Sequence, residues 1–341
     1  MPSQPPLPPL LAPYVSSLPD ASLTLVSSIL GATSNWLVLR FLHAALSSQS
    51  ASTFGADDPQ NGIKKKVVLV SFMRSYEFWK TEAKRLGLDL TRLAEKHQFA
   101  FIDGLSELFY AQSLAPPTSS PGLGSSPRTT LPMRGPPGAV PGRAPQPTAP
   151  VGPVGNSASK QEPGIAKKLH FSGRGLASLD AMEKDIASVI EQQKTQMEEG
   201  DELVLIIDQP DLLLATTGPS MGIGATEMSE WISGLQQHAH ATIVTLATDT
   251  PLIHNASGLG GQLATPIETE HAAFAIGLAH RARSVMQLRT LETGAAKDVS
   301  GVLRISRGGG LGTGEDNLEE REALYFIQRD GGVTVFGRGE S

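Results

Sequence analysis

Two kinds of apolar pattern alternate along this chain. Near-continuous apolar runs occur at residues 23–26, at 67–72, in "FAFIDG", in "ELVLIIDQ" and in "ATIVTLATD". A strand reads this way when both its faces are covered. Between these runs the apolar positions recur every three or four residues, which predicts helices. They do so over 35–46, in "SYEFWKTEAKRLGL", along Leu176, Leu179, Ile186, Val189, Ile190, Gln193 and Met197, and along Met228, Trp231, Ile232 and Leu235. Ser75 is placed to cap the second of these helices and Gly87 to stop it. "LSELFYAQ", after the third strand, is read as the start of another helix. Strand–helix alternation implies parallel neighbours, because parallel strands need a long return connection.

The last third breaks the alternation. "SVMQLRTLET", "GVLRISRGG" and "EALYFIQRDGGVTVFGRGE" read as strands with partly alternating faces, the last two joined by the turn signal Asp330-Gly331-Gly332. The expected fold is α/β: a mainly parallel sheet flanked by helices, with antiparallel edge strands at the C-terminal end.

One segment falls outside any core. From 112 to 166 the chain carries 13 of its 25 prolines and no acidic residue before Glu162. Proline removes backbone donors, and too few apolar groups remain to offset the entropy of ordering. The expected division is a flexible N-terminal arm at 1–19, a first half-domain at 20–111, a disordered insertion at 112–166, and the second half of the same domain at 167–341. The proline-rich start, "MPSQPPLPPLLAP", lacks the basic region of a signal peptide.

Composition narrows the chemistry. The net charge of −6 gives no global argument for nucleic acid, and the absence of cysteine removes disulfides, thiolate metal sites and thiol nucleophiles. The apolar run over 36–46 is interrupted by Arg40 and His43 and falls short of the roughly 20 residues that span a bilayer. A soluble intracellular protein is expected.

The stretch "LTLVSSILGATSNWLVLRFLHAAL" has the strand–turn–helix frame in which many proteins hold phosphate. A phosphate loop of the Gly-x-x-x-x-Gly-Lys-Ser/Thr type presents backbone N–H groups, a lysine for the terminal phosphates and a hydroxyl for magnesium. With 23–26 as anchor, its first glycine falls on Ser27, its second on Ala32, its lysine on Thr33 and its hydroxyl on Ser34, with Gly31 one position early. Only the hydroxyl is kept. Strand-end carboxylates at Asp103 and Asp208 occupy the edge that lines the ligand crevice of open α/β sheets. Asp208-Gln-Pro-Asp211 also reads as an ordinary helix cap.

With that loop position, a late strand-end aspartate and a terminal antiparallel set, the chain resembles the RecA-like ATPase core. More narrowly it resembles the Elongator complex protein 6 family. The resemblance is carried by the quoted 23–46 stretch, "VVLVSFMRSYEFWKTEAKRLGLDL", "FAFIDGLSELF", "LVLIIDQPDLLLA" and "ALYFIQRDGGVTVFGRG". It implies a RecA-like fold without intact nucleotide motifs, in a hetero-hexameric ring with Elongator subunits 4 and 5. It implies that the ring joins the catalytic Elongator subcomplex in modifying wobble uridines of tRNA, in the cytoplasm and the nucleus. The chemistry belongs to another subunit, so no catalytic residue, metal or cofactor is expected here, and ATP with magnesium only weakly or at a ring interface. The alternatives are an ATPase with a degenerate loop, using Ser34 and Asp208 around magnesium, and a RecA relative that binds nucleic acid directly.

Arg281, Arg283, Arg289, Arg304 and Arg307 follow the predicted sheet edge and are the candidates for contact with tRNA or a neighbouring subunit. Lys64, Lys65, Lys66, Lys80, Lys84, Arg85, Arg92 and Lys96 read as solvated faces and strand ends. His238 and His240, two apart on a helix, would not share a metal. Asp249, His254 and Ser257 lack a nucleophile-elbow pattern. Trp36, Phe41, Phe78 and Trp79 are expected in the core or a subunit interface.

Overall fold

A computed structural model describes residues 7–47, 64–110, 164–253, 264–291, 294, 296–310 and 318–337. In chain order the elements are α1 (Ala12–Val15), β1 (Ser22–Ser28), α2 (Asn35–Ser47), β2 (Lys65–Ser71), α3 (Tyr76–Arg85), α4 (Leu90–Glu95), β3 (Phe99–Asp103), β4 (Ile165–Lys168), α5 (Leu176–Lys194) and β5 (Glu202–Asp208). There follow α6 (Asp211–Thr217), α7 (Ala225–Gln236), β6 (Ala241–Ala247), α8 (Thr250–Ile253), α9 (Pro266–Arg281), β7 (Ser284–Arg289), β8 (Gly301–Arg307), β9 (Arg321–Ile327) and β10 (Val333–Phe336).

The ten strands form one sheet in the order β10-β9-β8-β7-β1-β6-β5-β2-β3-β4. From β7 to β4 every pairing is parallel, and β8, β9 and β10 add antiparallel. The expected mixed sheet is therefore the one formed. Alternation along each strand divides the core. On β2, Val67 and Leu69 face a cluster with Leu37, Phe41 and Trp79, while Val68 and Val70 face another with Leu179, Ile186, Trp231 and Phe274. Covering on both sides is why the central strands read as unbroken apolar runs.

Local signals act as expected in α3. Ser75 Oγ accepts the Phe78 amide at 3.4 Å, and Gly87 adopts φ +80° just after the helix. Gly331 takes φ +89° in the β9–β10 turn, where Gln328 N donates to Gly332 O at 2.8 Å. Trp36, Phe41 and Trp79 are core residues, and Phe78 is half-buried.

Several expectations are corrected. Residues 7–19 are not a loose arm: Leu11, Tyr14, Val15 and Leu18 are buried against the first cluster, and Tyr14 Oη donates to Glu319 O at 2.9 Å. The prolines hid an apolar spacing of three and four. The proposed 112–166 insertion lies outside the described residues up to 163, but Ile165 and Ala166 already belong to β4, an edge strand on β3. "LSELFY" forms turns rather than a helix, because Asp103 Oδ1 accepts the Leu105 and Ser106 amides at 2.9 Å each. Leu176 begins α5 but is exposed, and α4, capped by Asp89, was not foreseen. His238 lies beyond the end of α7 and His240 just before β6, so they share no helix. Among the described residues no helix is long and apolar enough to cross a membrane.

Candidate functional site

The turn after β1 is closed on itself. Ala32 N donates back to Ile29 O at 2.9 Å. Ser28 O accepts from Thr248 N at 2.7 Å and from Thr248 Oγ1 at 3.2 Å. Leu30 N, the amide at the tip, donates to Asp249 Oδ1 at 3.0 Å. A carboxylate of the chain itself thus sits where a phosphate loop would present its N–H groups to a ligand, and like charge there repels phosphate. Thr33 is exposed and supplies no countercharge, while Ser34 is buried and its carbonyl accepts Leu37 N and Val38 N to start α2. Ser27 is buried inside the strand between β6 and β7. Gly31 has a packing reason: a Cβ there would lie 2.9 Å from Thr290 Cγ2.

The strand-end carboxylates are committed to internal partners. Asp208 is fully buried, with Ser71 Oγ donating to Oδ2 at 2.8 Å and Thr245 Oγ1 to Oδ1 at 2.9 Å. Ser71 and Thr245 stand beside it in register on β2 and β6. Burial pushes its pKa up, against the lowering effects of the Ser71 bond, the Arg74 charge and the Thr245 bond. Asp103, also buried, is spent on the turn that follows β3. The cap reading of Asp208-Gln-Pro-Asp211 does not hold: Pro210 occupies the N-cap of α6, and neither aspartate caps it. Gln209 instead bends the chain at φ +57°, a conformation that favours glycine, and its amide donates to Thr245 Oγ1 at 3.0 Å.

The sequence reading missed a neighbouring pair. Asp211 Oδ2 accepts the Ala247 amide at 3.3 Å and stands 3.4 Å from His271 Nε2 on α9. Both side chains are buried. No local signal links residues 60 positions apart, so only the fold reveals it. Among the described residues no group of three or more acidic or histidine side chains is arranged to hold a metal.

The arginine candidates do not form one patch. Arg281 Nη1 donates to Ser229 O at 2.9 Å on the face of α7. Arg289 is ion-paired with Glu322, and Arg304 stands opposite Glu322 in register. Arg307 lies three residues from Arg304 on β8, hence on the other face of the sheet, where its Nε donates to Leu318 O at 3.4 Å. Arg283 is half-buried between α9 and β7. The lysine run is also absorbed: Lys64 pairs with Glu198, Lys65 with Glu202, and Lys66 donates to Gln193 O and Gln196 O at the end of α5. Asp249 is engaged by Leu30, while His254 and Ser257 lie outside the described residues.

The same edge of the sheet carries something else. Of the eight large apolar side chains exposed among the described residues, six lie beyond the carboxyl ends of parallel strands. Leu30 follows β1, Met73 follows β2, Leu105, Phe109 and Tyr110 follow β3, and Leu176 follows β4. Leu30, at 86 % exposure, marks the tip of the closed turn. The edge that lines a ligand crevice in open α/β sheets here carries an apolar rim.

No protein-family model and no curated protein matches the chain. Solved structures do. A KaiC-like protein, PH0186, from the hyperthermophilic archaeon Pyrococcus horikoshii OT3 aligns with a TM-score of 0.51 at 11 % identity, over 98 % of each chain. The fold is RecA-like, and at that identity the likeness extends to the fold alone.

Proposed function

We propose that this chain is a non-catalytic, RecA-like subunit of an Elongator-type complex, similar to subunit 6. In this reading it forms a hetero-hexameric ring with subunits 4 and 5, and the ring presents tRNA to the catalytic subcomplex for wobble-uridine modification. The reading implies a cytoplasmic and nuclear protein without a cofactor of its own. The observation that carries it is the Asp249 carboxylate on the Leu30 amide, in a turn that has a threonine for the lysine. Support also comes from the six exposed apolar side chains at the same edge, a composition suited to protein contacts. The ATPase alternative requires Asp208 to order magnesium water, and a fully buried carboxylate holding two hydroxyls is poorly placed to do so.

The test is the mass and composition of the particle in which the full chain purifies from its native source. A six-membered particle containing two further RecA-like chains is expected, and the isolated chain is expected not to turn over ATP. A monomer that recruits no relatives, or ATP turnover abolished by Asp208→Ala, would overturn the reading.

A further inference from the structure

Beside the closed turn, whose Thr33 lines it, α2, α3 and the β9–β10 turn enclose a cleft of about 280 Å³. Trp36, Leu39, Phe78, Leu86 and Ile327 supply apolar walls, and Arg40 lies among them. Arg40 is only 1 % exposed. Its Nη2 donates to Gly331 O at 3.2 Å, but Nε and Nη1 are buried with no hydrogen-bond partner among the described residues. A guanidinium removed from water needs an anion or a full set of acceptors, and one carbonyl supplies neither. Burial accordingly lowers its pKa.

The surroundings do not answer that charge. Glu82, the acid that lines the cleft, is paired with Arg85 Nη1 at 2.9 Å. Burial, and then the Arg40 charge, lower the pKa of His43, one turn along α2. One lining cation among the described residues, apolar walls and a glutamate already paired with Arg85 favour a singly charged ligand over a phosphate dianion. The volume lies just below the ~300–1,000 Å³ of ligand pockets, which suits a small molecule.

We infer that this cleft binds a small monocarboxylic acid with an apolar body, its carboxylate paired with Arg40 and its body between Trp36, Leu39 and Phe78. The inference does not rest on the ring reading: Thr33 lines the cleft, but neither the Asp249–Leu30 contact nor the strand-end carboxylates take part in it.

Thermal unfolding of the full chain tests it, with 4-phenylbutyrate, the uncharged 4-phenylbutyramide and inorganic phosphate at matched ionic strength. The carboxylate should raise the midpoint saturably, and the amide and phosphate should not. Arg40→Met should abolish the response while the unliganded midpoint holds or rises, because an unpaired buried charge has been removed. Arg40→Lys should fold in any case and weaken binding about tenfold or more, since it loses the planar fork. Glu82→Gln should tighten binding by removing the competing acid. Equal responses to acid and amide, a response to phosphate alone, an undiminished response in Arg40→Met, or no response to the carboxylate would overturn the assignment. A glutamate on an apolar peptide offers the same group, so acetyl-Leu-Glu-Leu-amide is the second arm. Binding of that peptide without binding of 4-phenylbutyrate would transfer the cleft to a partner's side chain and overturn the small-molecule reading.

Discussion

Asp249 and Leu30 meet across the mouth of the turn after β1, carboxylate to amide at 3.0 Å. The contact joins the loop after β6 to the tip of a turn that, with glycines and a lysine, would face a phosphate. The chain answers the turn's amide internally, and with the charge a nucleotide would bring. The RecA-like frame is thus present with a carboxylate, not a free amide, at the tip of this turn.

Asp249→Ala should cost about 0.5–1.5 kcal/mol, the range for one hydrogen bond, with the lower part favoured by exposure. Urea unfolding measures it. The single variant should remain indifferent to ATP, since Thr33 still supplies no countercharge. Asp249→Ala combined with Thr33→Lys should gain a triphosphate-dependent rise in thermal midpoint. The same rise in the unaltered chain would contradict the account of the turn.

Asp208 makes a prediction with a sign. Its folded pKa is raised, first by burial, so the folded state holds its proton more tightly than the unfolded chain. Such a group contributes stability that is full below the unfolded value, near pH 4, and is lost as pH rises through the folded value. Asp208→Asn removes that slope while preserving shape. Its stability relative to the unaltered chain should therefore improve from pH 4 toward pH 8, read from urea midpoints across that range. Parallel profiles would mean that the Ser71 and Thr245 hydroxyls hold the charged form as well as water does.

The run Gly308-Gly309-Gly310 invites a phosphate reading by composition, but its amides donate to Arg283 O, Ala279 O and Ala282 O at the end of α9. A Cβ on Gly308 would lie 1.9 Å from Ala282 O, a backbone atom that cannot swing aside. Gly308→Ala should therefore destabilise the protein by roughly 2 kcal/mol or more, toward the upper end for point substitutions. A change within about 0.5 kcal/mol, the usual surface effect, would show that the α9–β8 junction is slack.

These cases show what the sequence carries. The central strands were legible because double burial leaves an uninterrupted apolar run, as in Val67–Val70 facing both clusters in turn. The cap at Ser75 and the turn at Gly331 were legible because each is set by residues within a few positions. The loss of the lysine at Thr33 could likewise be read by alignment to a pattern. What replaced it could not: Asp249 lies 219 positions from Leu30, Thr245 lies 37 from Asp208 and His271 lies 60 from Asp211. Partners at such separations are chosen by strand order, and strand order leaves no periodic trace. The arginine candidates are spread out for the same reason, since neighbours in sequence such as Arg304 and Arg307 fall on opposite faces of one strand.

The apolar rim yields the sharpest separation between folding and assembly. Leu30 is 86 % exposed and Leu176 is 49 % exposed, so each keeps much of its apolar surface in water while the chain is alone. Replacing both by aspartate removes little buried area, and surface changes of this kind usually fall within about 0.5 kcal/mol. The thermal midpoint of the isolated double variant should therefore match the parent. In an assembly that covers the strand-end edge, the same two carboxylates would be desolvated without partners, which is costly. The double variant should then fail to enter the larger particle, measured by co-purified mass, while Ile276→Asp on the exposed surface of α9 should enter it normally. Normal assembly of the Leu30→Asp, Leu176→Asp variant would show that partners use another face, and would leave the exposed rim without a role in the ring.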